Sequence, residues 1–264
     1  MVSRGIIGGL LMITALLAAM PAQSDTTLNV RGSDGLNSTI QVRNGKGRMS
    51  VDGMSEYLVY DSRTGTITYV EPGQQQYTQV SMAELEATMQ TAASMKDSMR
   101  PYIDSVLAGL SAEQRKMIER RMGGLVGAPA AGKPAGVTTV DRGWYTFAGL
   151  RCKATGILKN GHPAAEVCMA MAPGGKLSDR DFAVLEALVD FSRTIAGTAG
   201  GMLGDLGEQL ELLAVELDGV PIAVRDLEHG KRYQVTAVSN ARLYDSGFNG
   251  HGRFRKQDIT ALLR

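Results

Sequence analysis

Two cysteines, three histidines and the carboxylate pair Asp179 and Asp181 are the first candidates for chemistry in this chain of 264 residues. Cys152 and Cys168 are the only cysteines and lie together in GLRCKATGILKNGHPAAEVCMA, residues 149–170. An even cysteine number reads as a disulfide where the compartment is oxidising. The runs Arg151 to Lys159 and Ala164 to Met171 flank Lys159-Asn160-Gly161, and Asn-Gly between such runs signals a β-hairpin. A three-residue loop centred on Asn160 sets Cys152 directly opposite Cys168. A two-residue Asn160-Gly161 loop instead offsets them diagonally. Pro163 limits pairing beside the turn and points to a sheet edge. The spacing is not Cys-x-x-Cys and neither cysteine has a histidine close in sequence, so a structural bridge is expected rather than a redox or metal role.

His162 and His229 fall at expected turns, and His251 falls in FNGHG, expected as a surface loop. No pair has His-x-x-x-His spacing, so neither a metal nor a catalytic histidine is expected. Gly-x-Ser-x-Gly, the common hydrolase elbow, is absent. Gly197-Thr198-Ala199-Gly200-Gly201 lacks a P-loop lysine and reads as a helix break. Asp179 and Asp181 lie in the first turn of an expected helix, where carboxylates favour the helix dipole. The expectation is a non-catalytic protein without a cofactor.

The elements that must position these residues are punctuated by Gly, Pro and Asp. Strands are expected at Thr26 to Arg31, Thr39 to Arg43, Arg48 to Asp52, Tyr57 to Tyr60, Thr66 to Val70 and Gln76 to Val80. Ser81-Met82-Ala83-Glu84 is a capping box that opens a helix, and Ser111-Ala112-Glu113-Gln114 is a second. Pro101 should kink or split the helical stretch between them. Residues 123–136 (GGLVGAPAAGKPAG) read as a flexible loop. Strands resume from Val137 to Met171, a helix runs from Ser178 to about Ala196, and an amphipathic stretch follows through Leu213. Strands at Ala214 to Leu217, Val220 to Leu227 and Arg232 to Val238 come next, with a closing helical turn at Asp258 to Leu263. Segregated blocks of this kind indicate α+β. The expected arrangement is one curved antiparallel sheet with helices covering one face.

The first 24 residues read as a signal peptide. Arg4 precedes the apolar run Gly5 to Met20, and Ala22 and Ser24 fit a small-x-small cleavage site. The run is shorter than the roughly 20 residues a span requires, so no transmembrane span is expected after cleavage. Of 28 Lys and Arg, Arg4 lies in this leader, and the rest balance 27 Asp and Glu. That balance argues against nucleic acid as a partner. Residues 25–264 are read as a single domain in the periplasm.

Two surfaces are candidates for binding. Met82, Leu85, Met89, Met99, Met202, Leu206 and Leu210 form an apolar stripe suited to a ligand groove or to an ordinary core. Arg115, Lys116, Arg120 and Arg121 form a basic helix face suited to solvent or to anionic head groups.

YLVYDSRTGTITYVEPGQQQYTQV before a Met-rich capped helix, and later AGLRC followed by a hairpin, resemble an uncharacterised family of secreted bacterial proteins that bears a domain of unknown function. That family is in turn similar to the lipoprotein-carrier LolA and LolB superfold. The resemblance, spanning about Thr26 to Leu243, implies a half-barrel whose concave face, covered by helices, holds acyl chains. The resulting expectation is a periplasmic protein that binds a hydrophobic small molecule, a lipid or an envelope component. The rival expectation is a structural or interaction protein of the envelope with a filled core and a protein partner. An enzyme would need a histidine–carboxylate cluster that the sequence does not display.

Overall fold

The computed structural model of the protein describes residues 25–85, 136–199 and 217–258, together with Val215 and single positions between 87 and 113. The expected signal peptide, most of the helical stretch after Leu85 with its second capping box at Ser111, the loop at 123–136, the amphipathic stretch through Leu213 and the closing helical turn lie outside the described residues, apart from single positions up to 113, Gly136 and Asp258.

Twelve strands form one open sheet: β1 Thr26–Gly32, β2 Asn37–Arg43, β3 Lys46–Val51, β4 Tyr57–Asp61, β5 Thr66–Glu71, β6 Gln76–Ser81, β7 Val137–Phe147, β8 Leu150–Lys159, β9 His162–Ala170, β10 Val220–Asp226, β11 Arg232–Asn240 and β12 Arg255–Gln257. Their order is β12-β6-β5-β4-β3-β2-β1-β11-β10-β9-β8-β7. Two meanders, β1 to β6 and β7 to β11, are therefore joined side by side through β1 and β11. Among the described residues, α-helices with both ends described are α1, Asp179–Ala199, and the short α2, Ser246–Asn249. The α+β class matches the expectation, but the sheet is mixed rather than wholly antiparallel, because β12 runs parallel to β6. The reason is the route of the chain. Strand β11 ends at the end of the sheet where β6 also ends, and the chain climbs to the start of β6 before running alongside it.

Cross-strand partners share a face. Thr26, Val42, Gly47, Tyr60 and Ile67 stand in one row across β1 to β5, and α1 packs on it. Thr26 Oγ1 donates to buried Asp181 at 2.5 Å, Val184 and Leu188 lie over Gly47, and the Phe191 ring meets Tyr60 at 5.7 Å. Ser178 caps the helix through the Asp181 N–H at 3.2 Å. The helix continues to Ala199, through the expected break at Gly197. A glycine costs a helix only about 1 kcal/mol, too little to stop one anchored along its apolar side. The main core runs from Leu28 and Val42 through Phe182, Leu185 and Phe191 to Leu150, Cys152 and Cys168. The capping box at Ser81 forms: the Ser81 N–H donates to Glu84 at 2.8 Å, and the Glu84 N–H donates to Ser81 Oγ at 3.1 Å.

The opposite face of β2 to β6 carries the C-terminal segment as a strap. Arg43 binds Asp25 at 2.6 Å and Asp245 at 2.7 Å, and Lys46 donates to Asn249 at 2.7 Å. Phe248 is buried, and the Arg255 N–H donates to the Gln75 carbonyl to start β12. The expected surface loop around His251 is thus α2 and a 3-10 turn, because Phe248 gives the segment an apolar anchor. The His251 ring meets Tyr77 edge-on at 5.2 Å, and its Nδ1 is buried with no hydrogen-bond partner among the described residues. Burial, and secondarily the charge of Lys46, holds the His251 pKa below the ordinary 6.5. A histidine kept neutral by the fold contributes stability above its unfolded pKa and loses it as pH falls through the folded pKa. The protein is expected to lose stability below about pH 6.5, and His251→Phe, which keeps a ring on Tyr77, is expected to lose less. Urea unfolding of both proteins at pH 7.5 and 5.5 checks this; equal losses would clear His251.

Candidate functional site: two cavities of the curved sheet

The cysteine hairpin shows how register decides which side chains meet. Asn160 and Gly161 take φ of 52° and 81°, the backbone of a two-residue turn in which both central residues need positive φ. Lys159 pairs with His162, so the three-residue loop does not form. That register alone would set Cys152 opposite Met169 and send Cys168 to the other face. Beside Pro163, however, Ala164 is an extra residue: Leu158 pairs with Pro163 and Ile157 with Ala165. The bulge shifts the ladder by one, Cys168 comes opposite Ala154, and both cysteines share a face on the diagonal. They form a disulfide with S–S 2.03 Å and Cα–Cα 5.4 Å. The pair fits an oxidising compartment.

The first cavity, about 250 Å³, lies between α1 and the sheet face that α1 covers. Gly47, Met49, Leu58, Tyr60 and Ile67 wall it from β3 to β5, and Val167, Met169 and Val224 wall it from β9 and β10. Strands β4 and β9 are six steps apart in the sheet, roughly 29 Å if it were flat. One cavity touching both requires that this face be concave. Leu188, Val189, Ser192 and Arg193 of α1 face them, with Val215 and Leu217 beside. The lining is apolar except near Arg193, whose guanidinium donates to the Leu217 carbonyl and pairs with Asp190 at 3.1 Å. Val215 and Leu217, expected in a strand, lie in none and instead complete this wall.

None of the sequence-based groove candidates lines this cavity among the described residues. Met82 packs against the main core, Leu85 is half-buried and Met99 is 48% exposed. Met89, Met202, Leu206 and Leu210 lie outside the described residues, as do Arg115, Lys116, Arg120 and Arg121. The cavity walls were unreadable in sequence because their residues come one or two at a time from distant strands. Met49 and Leu58 look like ordinary inward strand positions.

The second cavity, about 470 Å³, lies where β7 bends over β8 to β11 and shares Val167 and Val224 with the first. Strand β7 comes within 8 Å of β11 in Cα distance although three strands separate them in the ladder. Its floor holds the row Ala154, Cys168, Ala223 and Gln234, and the row Glu166, Arg225 and Arg232. Strand β7 supplies Arg142, Tyr145 and Phe147. The strand is bulged at Arg142, where the register shifts between Asp141 and Gly143 and Gly143 takes a φ of 91°. Asp141 fixes the bulge by accepting the Gly143 N–H at 2.7 Å and pairing with Lys153 at 3.0 Å. The Gly143 N–H, and then Lys153, lower the Asp141 pKa.

The histidines are dispersed. His162 is exposed at its turn. His229 Nδ1 lies 2.8 Å from Asp226 Oδ2, and Asp226 Oδ1 accepts the N–H groups of Glu228 and His229. Burial alone would raise the Asp226 pKa, but these donors outweigh it and leave it lowered. The pair organises the turn between β10 and β11. Among the described residues no three His, Cys, Asp or Glu side chains are grouped to hold a metal ion, and no helix is long and apolar enough to cross a membrane.

Comparison with family models and with curated proteins gives no match. Among solved structures, an uncharacterised conserved protein from Thermus thermophilus aligns over 90% of this chain and 91% of its own, at 8% identity and a TM-score of 0.36.

Proposed function

We propose that this is a non-catalytic binding protein of the periplasm that holds a hydrophobic ligand, a lipid or acyl chain, between its curved sheet and α1. The observation that carries the reading is the apolar cavity under α1, walled from both meanders. Its volume is on the order of eight waters, room for a segment of an acyl chain rather than a whole lipid. Burying methylenes there gains about 0.8 kcal/mol each. Arg193, at the cavity wall, would meet a carboxylate or other anionic head. The half-barrel of the lipoprotein-carrier superfold, with helices over a concave face, is the arrangement this proposal follows. The disulfide supports an extracytoplasmic setting.

The test is native mass spectrometry of protein purified from the periplasm without detergent, with calorimetric titration of dodecanoate alongside. The expected result is a stoichiometric apolar adduct or saturable dodecanoate binding, weakened at least tenfold by Val189→Trp, which fills the cavity. A bare chain that also fails to bind dodecanoate would overturn the proposal and move the function to partner binding in the envelope.

A further inference from the structure

The second cavity is built from groups that the hydrophobic-ligand reading does not use. Three guanidiniums, Arg142, Arg225 and Arg232, line it against one carboxylate, Glu166. Arg225 and Arg232 are direct cross-strand partners on one face, an arrangement that destabilises a sheet when nothing neutralises it. Glu166 neutralises one side only: it stands opposite Arg225 in the ladder and pairs with it at 3.7 Å. Neither Arg142 nor Arg232 has a carboxylate within 4.0 Å among the described residues.

Arg142 does not reach this cavity by strand alternation. It is the extra residue of the β7 bulge, and bulges re-aim a side chain. Its guanidinium lies over Gly156, where an added Cβ would stand 3.1 Å from Arg142 Nε. Gly156 stands opposite Glu166 in the ladder, so the glycine leaves a slot at the end of the charged row and Arg142 fills it. Tyr145 and Phe147, from the same strand, supply aromatic wall. A concave site with converging donors and an aromatic wall has the form of a small-molecule site, and its volume lies in the usual range.

We propose that this cavity binds a small organic anion, a phosphate or carboxylate carried on an apolar or planar body. Arg142, Arg225 and Arg232 grip the anionic group, and Tyr145 and Phe147 cover the body. Guanidiniums suit this chemistry because their donors match two oxygens of phosphate or carboxylate at once. Arg142, Glu166, Arg225 and Arg232 line this cavity and not the first, although the two share Val167 and Val224.

The experiment uses phenyl phosphate, inorganic phosphate and phosphatidylglycerol vesicles as probes, by calorimetry and by vesicle sedimentation. Phenyl phosphate is expected to bind one to one, and Arg142→Ala or Arg232→Ala to weaken it about tenfold each. Glu166→Gln, which removes the competing carboxylate, is expected to tighten it. Inorganic phosphate should bind more weakly than phenyl phosphate; equal affinity would overturn the part given to Tyr145 and Phe147. Vesicle binding without phenyl phosphate binding, lost in the Arg142→Ala/Arg232→Ala double variant, would support the same site with a lipid head group as the source. No binding of any probe, or binding unchanged in the double variant, would overturn the proposal. Arg142 and Arg232 are exposed and Glu166 is half-buried, and unchanged near-ultraviolet circular dichroism confirms that each variant is folded.

Discussion

Replacing Cys152 and Cys168 together by alanine is expected to lower the unfolding free energy by about 3 kcal/mol. The bridge closes a loop over a sequence separation of 16, and loop-closure entropy assigns about that value to such a span. For a chain of this size the midpoint should fall by roughly 6–12 °C. Alanine is the right replacement, because both positions are buried in the main core and a serine hydroxyl would add an unpaired polar group. Thermal unfolding of the oxidised protein, the reduced protein and the double variant should give one high midpoint and two similar low ones. A double variant within 1–2 °C of the oxidised protein would show that the hairpin register holds the two strands without the bridge.

The second large effect is expected at Phe248. Its side chain is 2% exposed on the short helix α2, and large-to-small changes at such positions cost about 3–5 kcal/mol. Phe248→Ala should also release the strap. The parallel pairing of Arg255, Lys256 and Gln257 with Gln76, Tyr77 and Thr78 is only three residues long and depends on α2 to bring the chain across the sheet. Hydrogen exchange is therefore expected to rise at 76–78 and 255–257 before it rises in β1 or β2. Uniform exchange across the sheet would show that the strap is not a separate unit of stability.

The strands of the first meander were legible because their signals are local. Tyr57 to Tyr60 and Thr66 to Val70 are β-branched or aromatic, and Asp61-Ser62-Arg63-Thr64-Gly65 between them can only turn. The Ser81 box was legible for the same reason. The pairing of β1 with β11 was not, because nothing in Thr26 to Arg31 names a partner so distant in sequence. Arg255-Lys256-Gln257 carries no local strand signal and becomes a strand only where α2 delivers it to the edge of β6. The cysteine pair was readable as a disulfide, but its geometry turned on one extra residue, Ala164. The second cavity also turned on a bulge. Gly143 inside an otherwise continuous strand was the available signal, and what it meant for Arg142 depended on the bend of β7 over β11. The first cavity had no signal at all, since a wall residue and a core residue are the same residue until the sheet curves.

The strand order has a consequence in time. The first meander has two borders, β1 and β6, and both are closed by strands from the far end of the chain, β11 and β12. Thr26 and Asn240 meet across 214 positions, and Gln76 and Gln257 across 181. Contacts of such long range make folding slow. Six strands made early must wait, with both borders open to pairing with another chain, until the last residues arrive to close them.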